Sequence, residues 1–221
     1  MSETSPVTGT VTAGQAASPT KQSSWLKIAV IGVVALALAA VAIWWFRPPE
    51  LHGELLQSPQ QATDFSLMTS TGEPMSLSDF RGKHVLLYFG YTFFPDVCPT
   101  TLNDLARMMD ELGERRAEDV QILMISVDPE RDTVEQLASY LPYFHPTFIG
   151  MTGSIEETEA IASQFGIFFA KHDGTAETGY LVDHTSAMTL IDADGYVRMI
   201  FPHGTDPADM AADLRYLMRR G

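Results

Sequence analysis

The sequence predicts an α/β domain, a central mixed sheet with helices on both faces, carried behind an N-terminal transmembrane helix. Three observations carry this expectation. Strand-like and helix-like apolar patterns alternate from residue 64 onward. Two segments, His84 to Tyr91 (HVLLYFGY) and Val120 to Val127 (VQILMISV), are near-continuous apolar runs of the kind buried on both faces of a sheet. Ile28 to Phe46 (IAVIGVVALALAAVAIWWF) contains no charge. As a helix at about 1.5 Å per residue it matches a hydrocarbon core of about 30 Å.

Residues 1–24 are Ser, Thr, Gly, Ala and Pro with few large apolar groups, so they lack the burial that offsets the entropy of ordering and are expected to be disordered. Residues 25–46 read as the membrane anchor, with Trp25 at one end and Trp44, Trp45 and Phe46 at the other, where amphipathic rings favour the headgroup layer. A cleaved signal peptide is the alternative, with small residues at Ala40-Val41-Ala42. Cleavage there leaves Ile43-Trp44-Trp45-Phe46 exposed on a soluble product, and the preceding tail is long for a signal. Lys21 and Lys27 before the span, against Arg47 after it, place the N-terminus inside and the domain outside the cytoplasm. The tail lacks arginine, which argues against a mitochondrial import peptide and for a bacterial plasma membrane. Residues 47–63, opening Arg47-Pro48-Pro49, read as a spacer.

The globular domain is assigned to residues 64–221. Phe65 to Met68 and Pro74 to Leu77, separated by Thr71-Gly72, predict an entry hairpin. The first buried strand, His84 to Tyr91, leads to a helix over Thr100 to Arg116, where Leu102, Leu105, Met108, Met109 and Leu112 recur at helical spacing. The second buried strand is followed by a helix over Thr133 to Phe144 and a short strand over Thr147 to Met151. Ser154 and Glu157 form a capping pair that opens a helix ending near Phe165. Ala193-Asp194-Gly195 joins two strands, Met188 to Asp192 and Tyr196 to Phe201, as a hairpin. An amphipathic helix over Asp206 to Arg220 closes the chain.

Composition narrows the function. The formal net charge is −14, with 14 Lys and Arg scattered among 28 acids, which excludes the clustered cations of a nucleic-acid binder. The single cysteine, Cys98, forbids an internal disulfide and internal dithiol exchange. Cys98 falls where a buried strand hands over to a helix, so unpaired backbone N–H groups are expected to lower its pKa. The segment Asp128, Glu130, Arg131 and Asp132 before Thr133 reads first as capping and ion pairing, with partner docking as the lesser alternative. Met108 and Met109 read as core packing.

The segments YFGYTFFPDVCPTTL (Tyr88 to Leu102), SVDPERDT (Ser126 to Thr133) and YLVDHTSAMTLIDADG (Tyr180 to Gly195) together resemble the Sco/SenC family of membrane-anchored copper chaperones for cytochrome c oxidase assembly. The resemblance covers most of Asp64 to Phe201. It implies a thioredoxin-like fold and a copper site built from a C-x-x-x-C pair and a distant histidine. Cys98 matches the second cysteine and His184 the histidine, while Phe94 stands where the family has its first cysteine. A cytochrome c oxidase subunit or another copper-handling protein is the implied partner.

With one sulfur missing, Cys98 and His184 are expected to hold Cu(I) in two-coordinate fashion and Cu(II) poorly, because Cu(I) is the softer ion. Asp183 is read either as an orienting neighbour of His184 or as a solvated residue. His52, His84, His145, His172 and His203 have no partner at ligand spacing and are assigned to surface or core. A peroxiredoxin-like thiol peroxidase is the competing enzyme reading. Such a nucleophile carries a threonine three residues before it and a proline four before that, where this chain has Pro95 and Tyr91. A docking module that binds neither metal nor peroxide is the third reading.

Overall fold

A computed structural model describes residues 22–45, 50–93, 97–175 and 179–219. The chain divides into two units, residues 1–49 and 50–221. In the first, α1 (Gln22–Trp45) is a single helix of 24 residues. Its described apolar side chains are exposed, with Ile31 at 68% and Leu36 at 72%. Among the described residues no helix is long and apolar enough to cross a membrane. The uncharged run reaches its full length only with Trp44, Trp45 and Phe46, whose side chains lie outside the described residues.

The second unit is built on β1 (Glu54–Gln61), β2 (Ser66–Thr69), β3 (Pro74–Ser76), β4 (His84–Gly90), α2 (Val97–Leu112), α3 (Glu114–Ala117), β5 (Val120–Ser126), α4 (Val134–Tyr140), β6 (Ile149–Thr152), α5 (Ile155–Gln164), β7 (Phe169–Asp173), β8 (Tyr180–His184), β9 (Met188–Ile191), β10 (Tyr196–Phe201) and α6 (Pro207–Met218). Eight strands form one mixed sheet in the order β1-β10-β9-β4-β5-β6-β2-β3. The pairs β4–β5 and β5–β6 are parallel, and the remaining pairs are antiparallel. Central position explains the apolar runs: every residue of β5 is buried, as are six of the seven in β4.

Alternation along β4 sorts the helices between the two faces. Tyr88, in register with Met124 and Gly150, faces the side where a Cβ on Gly150 would press on Leu137 and Leu141, beside α4. Phe89 points the other way, its ring 6.2 Å from Phe165 at the end of α5. This is the mixed, helix-covered, thioredoxin-like arrangement expected.

Three boundaries depart from the sequence reading. Part of the assigned spacer, Glu54–Gln61, is a sheet strand paired with β10. Its side chains are almost all exposed, so no apolar alternation announces it. It is held by the buried Asp213 carboxylate, which accepts hydrogen bonds from the His52 and Gly53 N–H groups at 2.8 and 2.9 Å. The long helix predicted to Arg116 stops at Leu112, because Gly113 takes φ 76°, and a short α3 follows. The two-stranded sheet β7–β8 was not foreseen: its residues are mostly exposed or half-buried, and its turn holds Gly174 and Gly179.

Candidate metal centre

The helix α2 begins at Val97, which places Cys98 in its first turn, with Pro99 where a missing N–H costs nothing. Cys98 is fully buried. His184 ends β8, eighty-six residues later, yet its Nε2 lies 3.6 Å from the Cys98 Sγ. The sequence-predicted pair therefore converges. The His184 Nδ1 lies 3.3 Å from the Thr185 carbonyl, to which it donates in the tautomer that turns the Nε2 lone pair toward sulfur. Phe94, the third position of the resemblance, lies outside the described residues.

Aromatic side chains wall the pair. The rings of Tyr88 and Tyr91 meet the His184 ring edge-on, with centroids 6.3 and 6.0 Å away. The Tyr88 hydroxyl is buried near Cys98 and Thr101, close enough for both to act on its proton, though neither meets it at full hydrogen-bond geometry. The Tyr91 hydroxyl accepts a 3.2 Å hydrogen bond from the Val182 N–H, fastening β8 to the end of β4.

Electrostatics correct one expectation. Burial pushes the Cys98 thiol up, outweighing the downward pull of the nearby Tyr88 hydroxyl and the Tyr91 N–H, and Asp132 pushes it further up. The helix start does not produce a low-pKa thiolate, because the sulfur is inside the protein. Burial also lowers the His184 pKa, against the upward pull of the Thr185 carbonyl and Asp183, while His203 lowers it further. The resting pair is a neutral thiol beside a neutral imidazole. A soft cation that displaces the thiol proton finds a thiolate and an imidazole nitrogen side by side.

The segment Ser126 to Thr133 braces this pair, a role that the reading as a capped, ion-paired turn missed. Capping is present: Thr133 Oγ1 accepts from the Gln136 N–H at 3.2 Å. Arg131 also pairs with Asp128. Beyond this, the buried Asp132 carboxylate accepts from the Thr92 N–H at 3.1 Å and the hydroxyls of Thr92 and Ser126 at 2.6 Å each, fixing the chain two residues before position 94. Arg131 stacks over Tyr180 at 3.8 Å and Phe93 at 4.5 Å, and its Nη1 donates to the Tyr180 carbonyl at 3.2 Å. The Tyr180 hydroxyl donates to Asp128 at 2.7 Å. The loop before the cysteine and the strand bearing the histidine thus share one anchor.

The other candidates are placed as follows. Asp183 is exposed and pairs with His172 at 3.2 Å, leaving the His184 Nδ1 to the Thr185 carbonyl. Met108 and Met109 are core, as read. His52 lies between Asp209 and Asp213, 3.4 Å from each, and His145 meets Thr147. His203 is on the surface, as read, and its Nδ1 lies 3.3 Å from the Thr101 Oγ1, one turn along α2 from Cys98. Among the described residues no three His, Cys, Asp or Glu side chains already converge as a cage.

The model of the SCO1/SenC family matches residues 54–219. The chain belongs to this family. Human "Protein SCO1 homolog, mitochondrial" is 37% identical over 156 residues, 70% of this chain and 52% of that protein. A SCO2-like protein of Rickettsia conorii is 36% identical over 153 residues, 69% of this chain and 74% of that one. The chain thus spans about half the length of the human SCO1 relative. Among solved structures, Arabidopsis thaliana ScoI with copper bound aligns at 34% identity and a TM-score of 0.69, covering 73% of this chain and all of that one. Apo Sco1 from Thermus thermophilus aligns at 38% identity and 0.68, covering 76% and 97%. The family match begins at β1, in agreement with its place in the sheet.

Proposed function

We propose that this SCO1/SenC member is a membrane-anchored copper chaperone whose cargo, Cu(I), is held by Cys98 and His184 and delivered for the copper centre of cytochrome c oxidase. The 3.6 Å approach of Sγ and Nε2 carries the reading. Copper-bound ScoI of Arabidopsis and copper-bound Sco1 of yeast support the choice of metal. The structure of BsSco, described as a member of the Sco family of cytochrome c oxidase assembly proteins, supports the client. Phe94 in place of the first family cysteine leaves a weakened site with one sulfur. The buried thiol with a raised pKa favours a carrier over a peroxidase, since peroxide attack needs a thiolate open to solvent.

In the same reading, residues 25–46 anchor the chain in a bacterial plasma membrane with the domain outside the cytoplasm. In support, α1 after Lys27 carries apolar side chains all round, with Ile28, Ile31, Val33, Leu36 and Leu38 all exposed, a pattern suited to lipid and costly in water. The test is genetic. In the native organism under copper limitation, removal of this chain is expected to lower oxidase activity and oxidase-bound copper in the membrane. Wild type should restore both and Cys98→Ser should not; equal restoration by the two would refute the copper-carrying role.

A further inference from the structure

We propose that the cavity between β1 and the end of α5 is a binding site for an uncharged sugar. It is separate from the Cys98–His184 pair and does not depend on the copper reading above.

The cavity owes its place to an irregular sheet edge. Leu55 pairs with Met199 and Gln60 with Val197, so five steps of β1 run against two of β10 and residues 56–59 bow out of the ladder. A space of about 240 Å³ opens beside the bow, lined by Thr189, Ile200 and Phe165, which follows α5. Thr189 pairs with Leu87 of β4, two residues before Phe89, so it shares the face that Phe89 turns toward Phe165. Tyr88, which lies beside Cys98, is on the other face of the sheet.

The lining selects the ligand. Six of its residues are polar and uncharged, five are apolar and none is charged, in a chain with 14 basic and 28 acidic residues. An ion finds no opposite charge there, and burying it unpaired is costly. A hydrocarbon leaves the polar groups without partners. Thr189 sharpens the second point: it is only 3% exposed, it lines the cavity, and its hydroxyl has no hydrogen-bond partner among the described residues. A hydroxyl held out of water without a partner is destabilising, and a ligand that pairs with it relieves that cost. The carboxamides of Gln60, Gln61 and Gln164, also in the lining, each carry both donor and acceptor. The Phe165 ring, with Phe65 and Phe89 centroids 6.3 and 6.2 Å away, is a fixed apolar wall. A pyranose matches this set, its C–H face meeting the apolar wall and its hydroxyls meeting the amides and Thr189. An acetamido group adds one further donor and acceptor, which makes N-acetylglucosamine the probe.

The test uses the full chain in micelles of a sugar-free detergent, with threonine and isoleucine methyl groups isotope-labelled for NMR and N-acetylglucosamine as titrant. The Thr189 and Ile200 methyl signals should shift with a Kd of about 1 mM, the scale of a small ligand held by a few hydrogen bonds. Protonated glucosamine, which puts a cation on the same ring, and cyclohexanol, which strips the ring of its other polar groups, should bind at least about tenfold more weakly. Thr189→Val keeps the shape and removes the hydroxyl. Read at Ile200, its affinity should fall by about tenfold or more, while its melting midpoint stays at or above wild type because an unpaired buried hydroxyl is gone. Gln164→Leu, a surface change, should weaken binding in the same direction and leave the fold intact. Cu(I) affinity should be unchanged in both variants. No methyl shift at concentrations well above the expected Kd would overturn the proposal. So would equal binding of glucosamine or cyclohexanol, or wild-type sugar affinity in Thr189→Val.

Discussion

Asp132 offers the sharpest test of how the fold holds the metal centre. Its carboxylate is fully buried and accepts from the Thr92 N–H, the Thr92 hydroxyl and the Ser126 hydroxyl. Burial raises its pKa in spite of these donors, so part of their gain offsets the cost of taking the charge out of water. Hydrogen bonds to a charged group contribute about 1.5–3 kcal/mol each, and three of them, less that desolvation, leave a net loss of roughly 3 kcal/mol in Asp132→Ala. For a domain of this size about 1 kcal/mol moves the melting midpoint by about 2–4 °C, so the shift should be roughly 6–12 °C downward. Asp132→Asn keeps the shape and one acceptor, and should fall by about half as much. Thermal unfolding followed by circular dichroism gives the stability. Anaerobic Cu(I) competition on the same samples should show weaker binding, because Thr92 no longer fixes the approach to Cys98. A melting midpoint for Asp132→Ala within about 1 °C of wild type would refute the reasoning, since three donors cannot lose their shared buried acceptor without cost.

Three further outcomes are expected. Arg131→Met unfastens the strand bearing His184 from the loop before Cys98 and should reduce Cu(I) affinity by about 10-fold or more, measured by chelator competition; a supporting residue that orients a ligand has effects of this order. Asp213→Ala leaves the His52 and Gly53 N–H groups without their acceptor and should free β1, at a cost of about 2–4 kcal/mol in chemical denaturation and with faster hydrogen exchange over Glu54–Gln61. The third outcome concerns acid. Burial lowers the His84 pKa, against the upward pull of Asp192 and Asp119, and its buried Nδ1 has no hydrogen-bond partner among the described residues. The unfolded chain therefore takes up the proton first, and His84 contributes stability above the ordinary imidazole value of about 6.5 that is lost as pH falls through its lower folded value. Melting midpoints measured from pH 7.5 downward should decline less steeply in His84→Phe than in wild type; parallel slopes would contradict this.

What the sequence made legible follows from burial. The strands β4 and β5 are covered on both faces, so their composition alone announces them. The Ser154 and Glu157 cap is likewise read directly, because both halves of it are local: Ser154 accepts from the Glu157 N–H and Glu157 from the Ser154 N–H. Strand β1 and the β7–β8 hairpin were illegible for the opposite reason. Their residues face solvent, and what fixes them is distant: Asp213 for β1, and Arg131 with Tyr91 for β8. The metal centre was legible only in part. Cys98 and His184 were found through motifs, and the structure brings them together. The raised thiol pKa was missed because a helix start suggests exposure, whereas depth decides the sign. Asp132 acts through a contact 40 residues away in sequence, which no spacing rule reaches.

Whether Cys98 and His184 grip one copper ion together is tested most directly by a double-variant Cu(I) titration. Under anaerobic competition, Cys98→Ser, His184→Ala and the double variant are measured beside wild type. Shared ligation predicts that each single change weakens binding and that the second adds little once the first is made, because the site is already broken. Wild-type affinity in His184→Ala, or losses that simply add in the double variant, would contradict it.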